Sequence, residues 1–204
     1  MKKLPGPEMW DQRYAQETYA YGEEPNLFLT QTYHDIPIGP VLCLAEGEGR
    51  NAVYLAHQGY EVTAVDFSEE GIRKTQKLAQ QNKVRVDTIQ TDLVHFNISE
   101  NTWQGIVAFF AHLPKALRKK VHRDVVAGLR PGGIFLLEAF TPRQLLFNSG
   151  GPKNPELLLS LRDLQTELEG LIPIIARETD RELDEGVYHS GKAAVVQFVG
   201  KKPV

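Results

Sequence analysis

The pattern of apolar and polar positions along this chain gives strand-like runs at 41–45, 61–66, 84–90, 105–110 and 133–140. Helical segments are predicted between them at 50–58, 69–82 and 115–127. The first stops at Gly59. The second opens at Ser68, a good N-cap, with Glu69 and Glu70 in its first turn, where the helix dipole favours acids. The third follows Pro114 and repeats Leu117, Val121 and Val125 at four-residue spacing, which makes one buried face. Strand and helix in alternation predict a parallel sheet with right-handed crossovers.

The C-terminal third breaks this rhythm. After Gly150-Gly151-Pro152, the pair Asn154-Pro155 predicts the cap of a helix carrying Leu157, Leu161, Leu164 and Leu168 on one stripe. Two long strand candidates, 173–184 and 187–200, are joined around Asp184-Glu185-Gly186, which is short enough to force an antiparallel hairpin. The expected fold is α/β: a Rossmann-like, seven-stranded, mostly parallel sheet with helices on both faces and a C-terminal antiparallel hairpin.

Composition narrows the picture. With 204 residues, 42% of them hydrophobic, the chain can bury one core, so a single domain is expected. A net charge of −3 exerts no overall pull toward nucleic acid or an anionic membrane. Cys43 is the single cysteine, so no disulfide framework is expected. The opening Met1-Lys2-Lys3-Leu4-Pro5 has no apolar stretch behind it, and no run approaches the roughly 20 apolar residues that span a bilayer. The expectation is a cytoplasmic protein with no membrane partner. His34, His57, His95, His122 and His189 show no metal-ligand spacing, and no metal is expected.

The candidate chemistry sits after the first strand. Residues 41–52 run from an apolar block into Glu46-Gly47-Glu48-Gly49, then into a helix. Gly47-x-Gly49-x-x-Ala52 has the dinucleotide spacing. However, carboxylates flanking Gly47 repel a pyrophosphate and suit a positively charged nucleoside without phosphate, which describes S-adenosyl-L-methionine. Asp66 ends the second strand, seventeen residues past Gly49, where an acid can accept from both ribose hydroxyls or can partner the helix start at Ser68. Asp92, in Thr91-Asp92-Leu93, can take the adenine amine while Leu93 packs on the ring; it can also be a plain loop acid. Phe109 to His112 end the fourth strand, at the edge where open parallel sheets bind ligands. His112 is the base candidate there, or else a loop or helix-cap residue. Trp10, Tyr14, Tyr19, Tyr21, Phe28 and Tyr33 crowd the first forty residues, as a lid over the site or as cover for one end of the sheet.

Taken in order, Trp10-Asp-Gln-Arg-Tyr14 with Tyr21-Gly22, Leu44-Ala-Glu-Gly-Glu-Gly-Arg-Asn51, Val65-Asp66-Phe67-Ser68, Thr91-Asp92-Leu93 and Leu129-Arg-Pro-Gly-Gly133 resemble class I S-adenosylmethionine-dependent methyltransferases. The similarity is greatest to the tellurite-resistance (TehB-like) and thiopurine methyltransferase-like branch, and covers nearly the whole chain outside about 145–172. It implies a lid over 1–40, a cofactor-binding core over 41–140, an acceptor-side insertion over 141–172 and a hairpin over 173–204. The cofactor contacts it implies are Trp10, Arg13, Glu46, Gly47, Glu48, Gly49, Asn51, Asp66, Phe67, Ser68, Asp92, Leu93 and Phe110. Arg13 would lie near the cofactor carboxylate, and Tyr14, Tyr21 and His112 would face the acceptor. The family usually has an acid at the position of Cys43 and a glycine at that of Ala45. Glu46 is therefore expected to take over the hydrogen bond to the cofactor's ammonium group.

Methyl transfer from a sulfonium needs alignment and exclusion of water more than acid or base help, which suits a small, soft acceptor such as a thiol, selenium or tellurium compound. The expected protein is an enzyme, a monomer or homodimer, acting on a small molecule. Three other readings stay open: a non-catalytic binder of the cofactor or its product, an NAD(P)-dependent oxidoreductase, and nucleic-acid modification through Lys115, Arg118, Lys119, Lys120 and Arg123. The last ranks lowest, since a basic helix face is ordinarily just solvated.

Overall fold

The first strand shows why its sequence is apolar throughout. Val41 and Cys43 pack on one face of a sheet with Phe28, Ala52 and Leu55, while Leu42 and Leu44 pack on the other with Val121, Val125 and Leu164. In the computed structural model, which describes residues 6–204, this strand is β1 (Pro40–Leu44) of a seven-stranded sheet. The others are β2 (Glu61–Asp66), β3 (Val86–Gln90), β4 (Trp103–Phe109), β5 (Leu129–Phe140), β6 (Ile172–Glu185) and β7 (His189–Lys201), in the order β3-β2-β1-β4-β5-β7-β6. The first five pair in parallel, and β7 runs antiparallel to both β5 and β6. This is the expected Rossmann-like sheet closed by a hairpin. Residues 1–5, on which the reading of the chain's opening partly rests, lie outside the described residues.

The helices are α1 (Pro7–Tyr14), α2 (Leu27–Thr32), α3 (Arg50–His57), α4 (Glu69–Gln81), α5 (Lys115–Gly128) and α6 (Leu161–Glu167). α2 and α3 bury their apolar sides on one face of the sheet, α5 and α6 on the other. α3 and α4 meet through Val53, Leu78 and Ala79. Local signals act as read: Ser68 Oγ accepts from Gly71 N at 3.0 Å to cap α4, and Gly59 takes φ +90° just past α3.

Four expectations need correction. The single helix expected after Asn154-Pro155 is absent. Asn154 caps only a 3-10 turn, Pro155–Leu157, and the chain then extends so that Leu159 N donates to Phe140 O at 2.9 Å. Leu157, Leu158 and Leu159 are all buried, and three consecutive residues cannot share one helix stripe; α6 starts afresh behind Ser160. The segment Leu129-Arg130-Pro131-Gly132-Gly133 is not a turn before the strand but its first stretch, carrying an irregularity opposite Trp103–Gly105 and φ +80° at Gly132. The hairpin reverses two residues later than expected, over Gly186-Val187-Tyr188, because Glu185 still pairs with His189. Gly186 has φ +70°, and a Cβ there would lie 2.6 Å from Ala20 O, so the turn packs on the N-terminal segment. Finally, the basic row on α5 is solvated only in part: Lys115, Lys119 and Arg123 are exposed, but Arg118 is buried in a two-pronged bond to Glu167 at 2.8 and 2.9 Å, and Lys120 pairs with Asp124.

Parallel strands end together, so the loops after β1, β2, β3 and β4 converge on one edge of the sheet. The order reverses there between β1 and β4, the place where such folds bind ligands. Because β7 runs the other way, its first residue, His189, stands at this same edge.

Candidate active site

These loops, with α1 and the segment after it, enclose a cavity of about 360 Å³. Its lining includes Trp10, Tyr14, Tyr21, Ala45, Glu46, Glu48, Asn51, Asp66, Phe67, Asp92, Leu93, Phe110, His112 and His189. Of the contacts expected from the sequence, Arg13, Gly47, Gly49 and Ser68 do not line it; of the early aromatics, Tyr19, Phe28 and Tyr33 pack in the core clusters instead.

The β1 end is acidic and tightly wound. Ala45 sits at φ +50°, a left-handed conformation that glycine would adopt without strain. Glu46 Oε1 accepts from Ala52 N at 2.8 Å, capping α3 from inside the loop. Burial pushes its carboxyl up to about 7. Asp66 accepts from Gly47 N and Ser68 N, both at 2.8 Å, and burial raises it to about 6. Gly47 and Gly49, at φ +68° and +93°, leave room for neighbours rather than for a ligand: a Cβ on either would come within 2.8 Å of Tyr14 or Thr75. Ser68 is occupied by its cap and by a 2.5 Å bond to Asp11.

Glu48 differs from Glu46. Its carboxylate accepts from Ala20 N and from Lys74 Nζ, each at 2.8 Å, so its charge is compensated. Its neighbours do the same kind of work. Arg50 Nη1 donates to Tyr21 O and Glu24 O at 3.3 Å, and Asn51 Oδ1 accepts from Asn26 N at 2.9 Å. The turn that reads as a phosphate-type loop therefore also straps the aromatic N-terminal segment across the cavity. Asp92 accepts from Val94 N at 2.9 Å beside the buried Leu93.

The opposite end is aromatic. The His112 ring stacks between Trp10 and Phe140, at centroid distances of 6.3 and 5.9 Å. Burial first, then His189 and Arg13, drives its pKa down to about 3, so the imidazole is neutral at physiological pH. Phe110 holds φ +53°, a costly conformation for a bulky residue, and its N–H donates to Glu138 O at 2.8 Å. Arg13 lies behind the cavity wall: its guanidinium covers Trp10 and Tyr188 and donates to Tyr21 Oη at 2.6 Å.

Among the lining residues that the sequence did not assign to the site are two charged or titratable ones, His189 and Arg50. In the sequence His189 shows only a lack of metal spacing, although any hairpin closing this sheet must bring the start of its second strand to the ligand edge. Beneath them lies a buried polar network. Glu138, fully buried in β5, accepts from Arg181, Gln197 and Asn26. Arg181 also binds Glu185, which Arg50 holds at 2.6 Å. Against the effect of burial, the neighbouring His189 and then Arg50 and Arg181 hold the Glu185 carboxyl far below its usual range.

Residues 41–133 match a family model described as a methyltransferase domain. No curated protein matches the sequence. Among solved structures, TehB from Haemophilus influenzae is 19% identical, with coverage of 96% of this chain and 66% of that one and a TM-score of 0.72. A structure from work on the conversion of a disulfide bond into a thioacetal group during echinomycin biosynthesis is 15% identical over 97% of this chain and 91% of that one, with a TM-score of 0.77. An S-adenosylmethionine-dependent methyltransferase from Clostridium acetobutylicum is 13% identical over 97% of both chains, with a TM-score of 0.66. At these identities the likeness is one of fold. Residues 41–133 are thus similar to a methyltransferase domain, and the chain as a whole shares the Rossmann-like fold of these structures. No helix among the described residues is long and apolar enough to cross a membrane.

Proposed function

We propose that this chain transfers the methyl group of S-adenosyl-L-methionine to a small, soft acceptor, a thiol or a selenium or tellurium compound, as in the tellurite-resistance and thiopurine methyltransferase-like branch. One observation carries the reading: Asp66, buried, and Glu46, partly buried, neither with a salt-bridge partner among the described residues, stand at one end of a cavity whose other end is aromatic and holds a neutral imidazole. Acids so raised favour a cationic ligand, and aromatic walls tolerate a sulfonium.

When bound, the cofactor supplies a methyl group already activated on positively charged sulfur. The protein's part is to hold and to exclude water. Asp66 has a free lone pair on each oxygen for ribose hydroxyls, and Asp92 takes the adenine amine with Phe67 and Leu93 against the ring. Glu46, with Asn51 beside it, receives the ammonium group. Trp10, Tyr14, Tyr21 and Phe110 keep the reacting centre dry, and His112 presents an uncharged edge to the acceptor. Glu48, Gly47, Gly49, Ser68 and Arg13 act through the loop and lid that they position.

Calorimetric titration with S-adenosyl-L-methionine, S-adenosylhomocysteine and NADH is the test. Binding of the two adenosyl ligands on the order of micromolar is expected. Binding of NADH alone would replace this reading with an oxidoreductase, and adenosyl binding without turnover of any thiol or chalcogen acceptor would leave a binder.

A pH dependence follows from the two raised acids. Their folded values, about 6 and about 7, lie above the ordinary 3.8 and 4.5. The free protein is therefore most stabilised by these groups below their ordinary values, and that contribution falls as pH rises through 6 to 7. A cationic ligand prefers the ionised acids, so its affinity should climb over the same window. Glu46→Gln should remove the upper part of that climb and weaken binding far more than Glu48→Gln, whose parent is already paired with Lys74. Titrations of both variants across pH check this; equal, small effects would remove Glu46 from the cofactor.

A further inference from the structure

His189 is the buried polar group for which the mechanism above has no use. Its side chain is 3% exposed and lines the cavity, yet its Nδ1 has no hydrogen-bond partner. Leaving a buried ring nitrogen unpaired is costly, so such a group in a native fold calls for a reason. The ring is gripped on several sides: Tyr21, Phe110 and Phe140 lie at centroid distances of 4.5, 4.7 and 5.2 Å. Gly150, from the segment expected to shape the acceptor side, comes so close that a Cβ there would lie 2.9 Å from Cδ2 of the ring.

What stands next to Nδ1 is a carboxylate that the fold keeps ionised. Glu185 Oε2 is 3.8 Å away, just beyond hydrogen-bond reach, and is itself fixed by Arg50 while Oε1 is fixed by Arg181. A histidine facing a held carboxylate through Nδ1 carries its proton there and leaves Nε2 bare. Long catalytic hydrogen bonds of this kind tighten when a ligand fills the site. His112 has no such partner: its ring is sandwiched between Trp10 and Phe140.

We propose that His189, oriented by Glu185, accepts the proton of a protic acceptor of the alkyl-thiol class during methyl transfer; this rests on the methyltransferase reading above. The acceptor sulfur forms its bond to the methyl carbon as the carbon–sulfonium bond breaks. The departing sulfur keeps the electron pair and becomes a neutral thioether, and the thiol proton passes to Nε2 of His189.

Two measurements test it. In ¹⁵N-histidine-labelled protein, long-range ¹H–¹⁵N NMR should show His189 as the Nδ1–H tautomer at neutral pH, the signal being assigned by its loss in His189→Asn. The Nε2–H tautomer would overturn the proposal, with or without any turnover. In the kinetic arm, a simple alkane thiol is compared with an acidic aryl thiol that is already a thiolate at the assay pH. His189→Asn should lower kcat with the alkane thiol by about 100-fold or more, with the aryl thiol only a few-fold, while S-adenosylhomocysteine still binds. His112→Asn should cost less than about tenfold with either. Equal losses on both thiols, a larger loss in His112→Asn, or no turnover of either thiol by a wild-type protein that binds S-adenosylhomocysteine would each sink the assignment. Absence of that binding in the wild type would instead sink the underlying methyltransferase reading.

Discussion

Replacing Asp66 with alanine is expected to abolish measurable S-adenosyl-L-methionine binding and to loosen the loop after β1 at the same time. The two effects share one carboxylate. Its oxygens already accept from Gly47 N and Ser68 N, and their remaining lone pairs are what a ribose would use. Hydrogen bonds to a charged group contribute about 1.5–3 kcal/mol each, so losing a pair of them weakens a ligand by roughly 100-fold or more. Stranding the two backbone donors costs a further ~1–3 kcal/mol apiece in stability. Asp66→Asn separates the roles, since an amide keeps one acceptor and the shape of the side chain. It should remain folded and bind about 10- to 100-fold more weakly. Calorimetry and urea unfolding on both variants read the two effects apart. An alanine variant that is destabilised yet binds normally would confine Asp66 to the loop.

Arg181→Met is the substitution expected to cost most in stability. Arg181 bridges Glu138 and Glu185, and both carboxylates are buried. Removing the cation leaves Glu138 with only Gln197 and Asn26 as donors. Breaking a buried ion pair in this way costs about 3–5 kcal/mol, because an uncompensated charge stays behind. For a chain of this size that corresponds to a fall in Tm of roughly 6–20 °C. Glu185 retains Arg50, so the network is halved rather than dissolved. The double variant Glu138→Leu with Arg181→Met should recover part of the loss, since apolar groups of similar volume often replace buried pairs well. Scanning calorimetry of single and double variants decides; a single-variant loss below about 1 kcal/mol would mean that the network carries little weight. Because Asn26 links this network to Asn51 of α3, the loss should also reach the cavity roof.

Local periodicity and turn chemistry made much of the fold legible in the sequence. Both-face burial demands apolar runs, so β1, β2, β4 and most of β5 could be placed from residue type alone. Ser68 and Gly59 marked helix ends because caps are set by immediate neighbours. Where local and tertiary demands disagreed, the reading failed. Asn154 and four leucines spell a helix, but the core takes Leu157, Leu158 and Leu159 from an extended chain. The row of cations on α5 looks solvated until Glu167, 49 positions from Arg118, arrives to bury one of them.

The same division runs through the site. Asp66, Asp92 and Leu93 could be named because each lies at or just past the end of a parallel strand, and parallel strands end at one edge; the sequence alone determined the sheet, that edge and the acids on it. Only the tertiary structure decided what each acid does. Glu46 and Glu48 flank the same glycine in the sequence, yet Lys74 pairs with Glu48, while Glu46 has no salt-bridge partner among the described residues. His189 and Glu185 meet because the closing strand runs backwards, bringing the end of one strand and the start of the next against residues far away in the chain. Pairing and burial set the charge state of a carboxylate or an imidazole, and both are properties of long-range contact that no local pattern encodes.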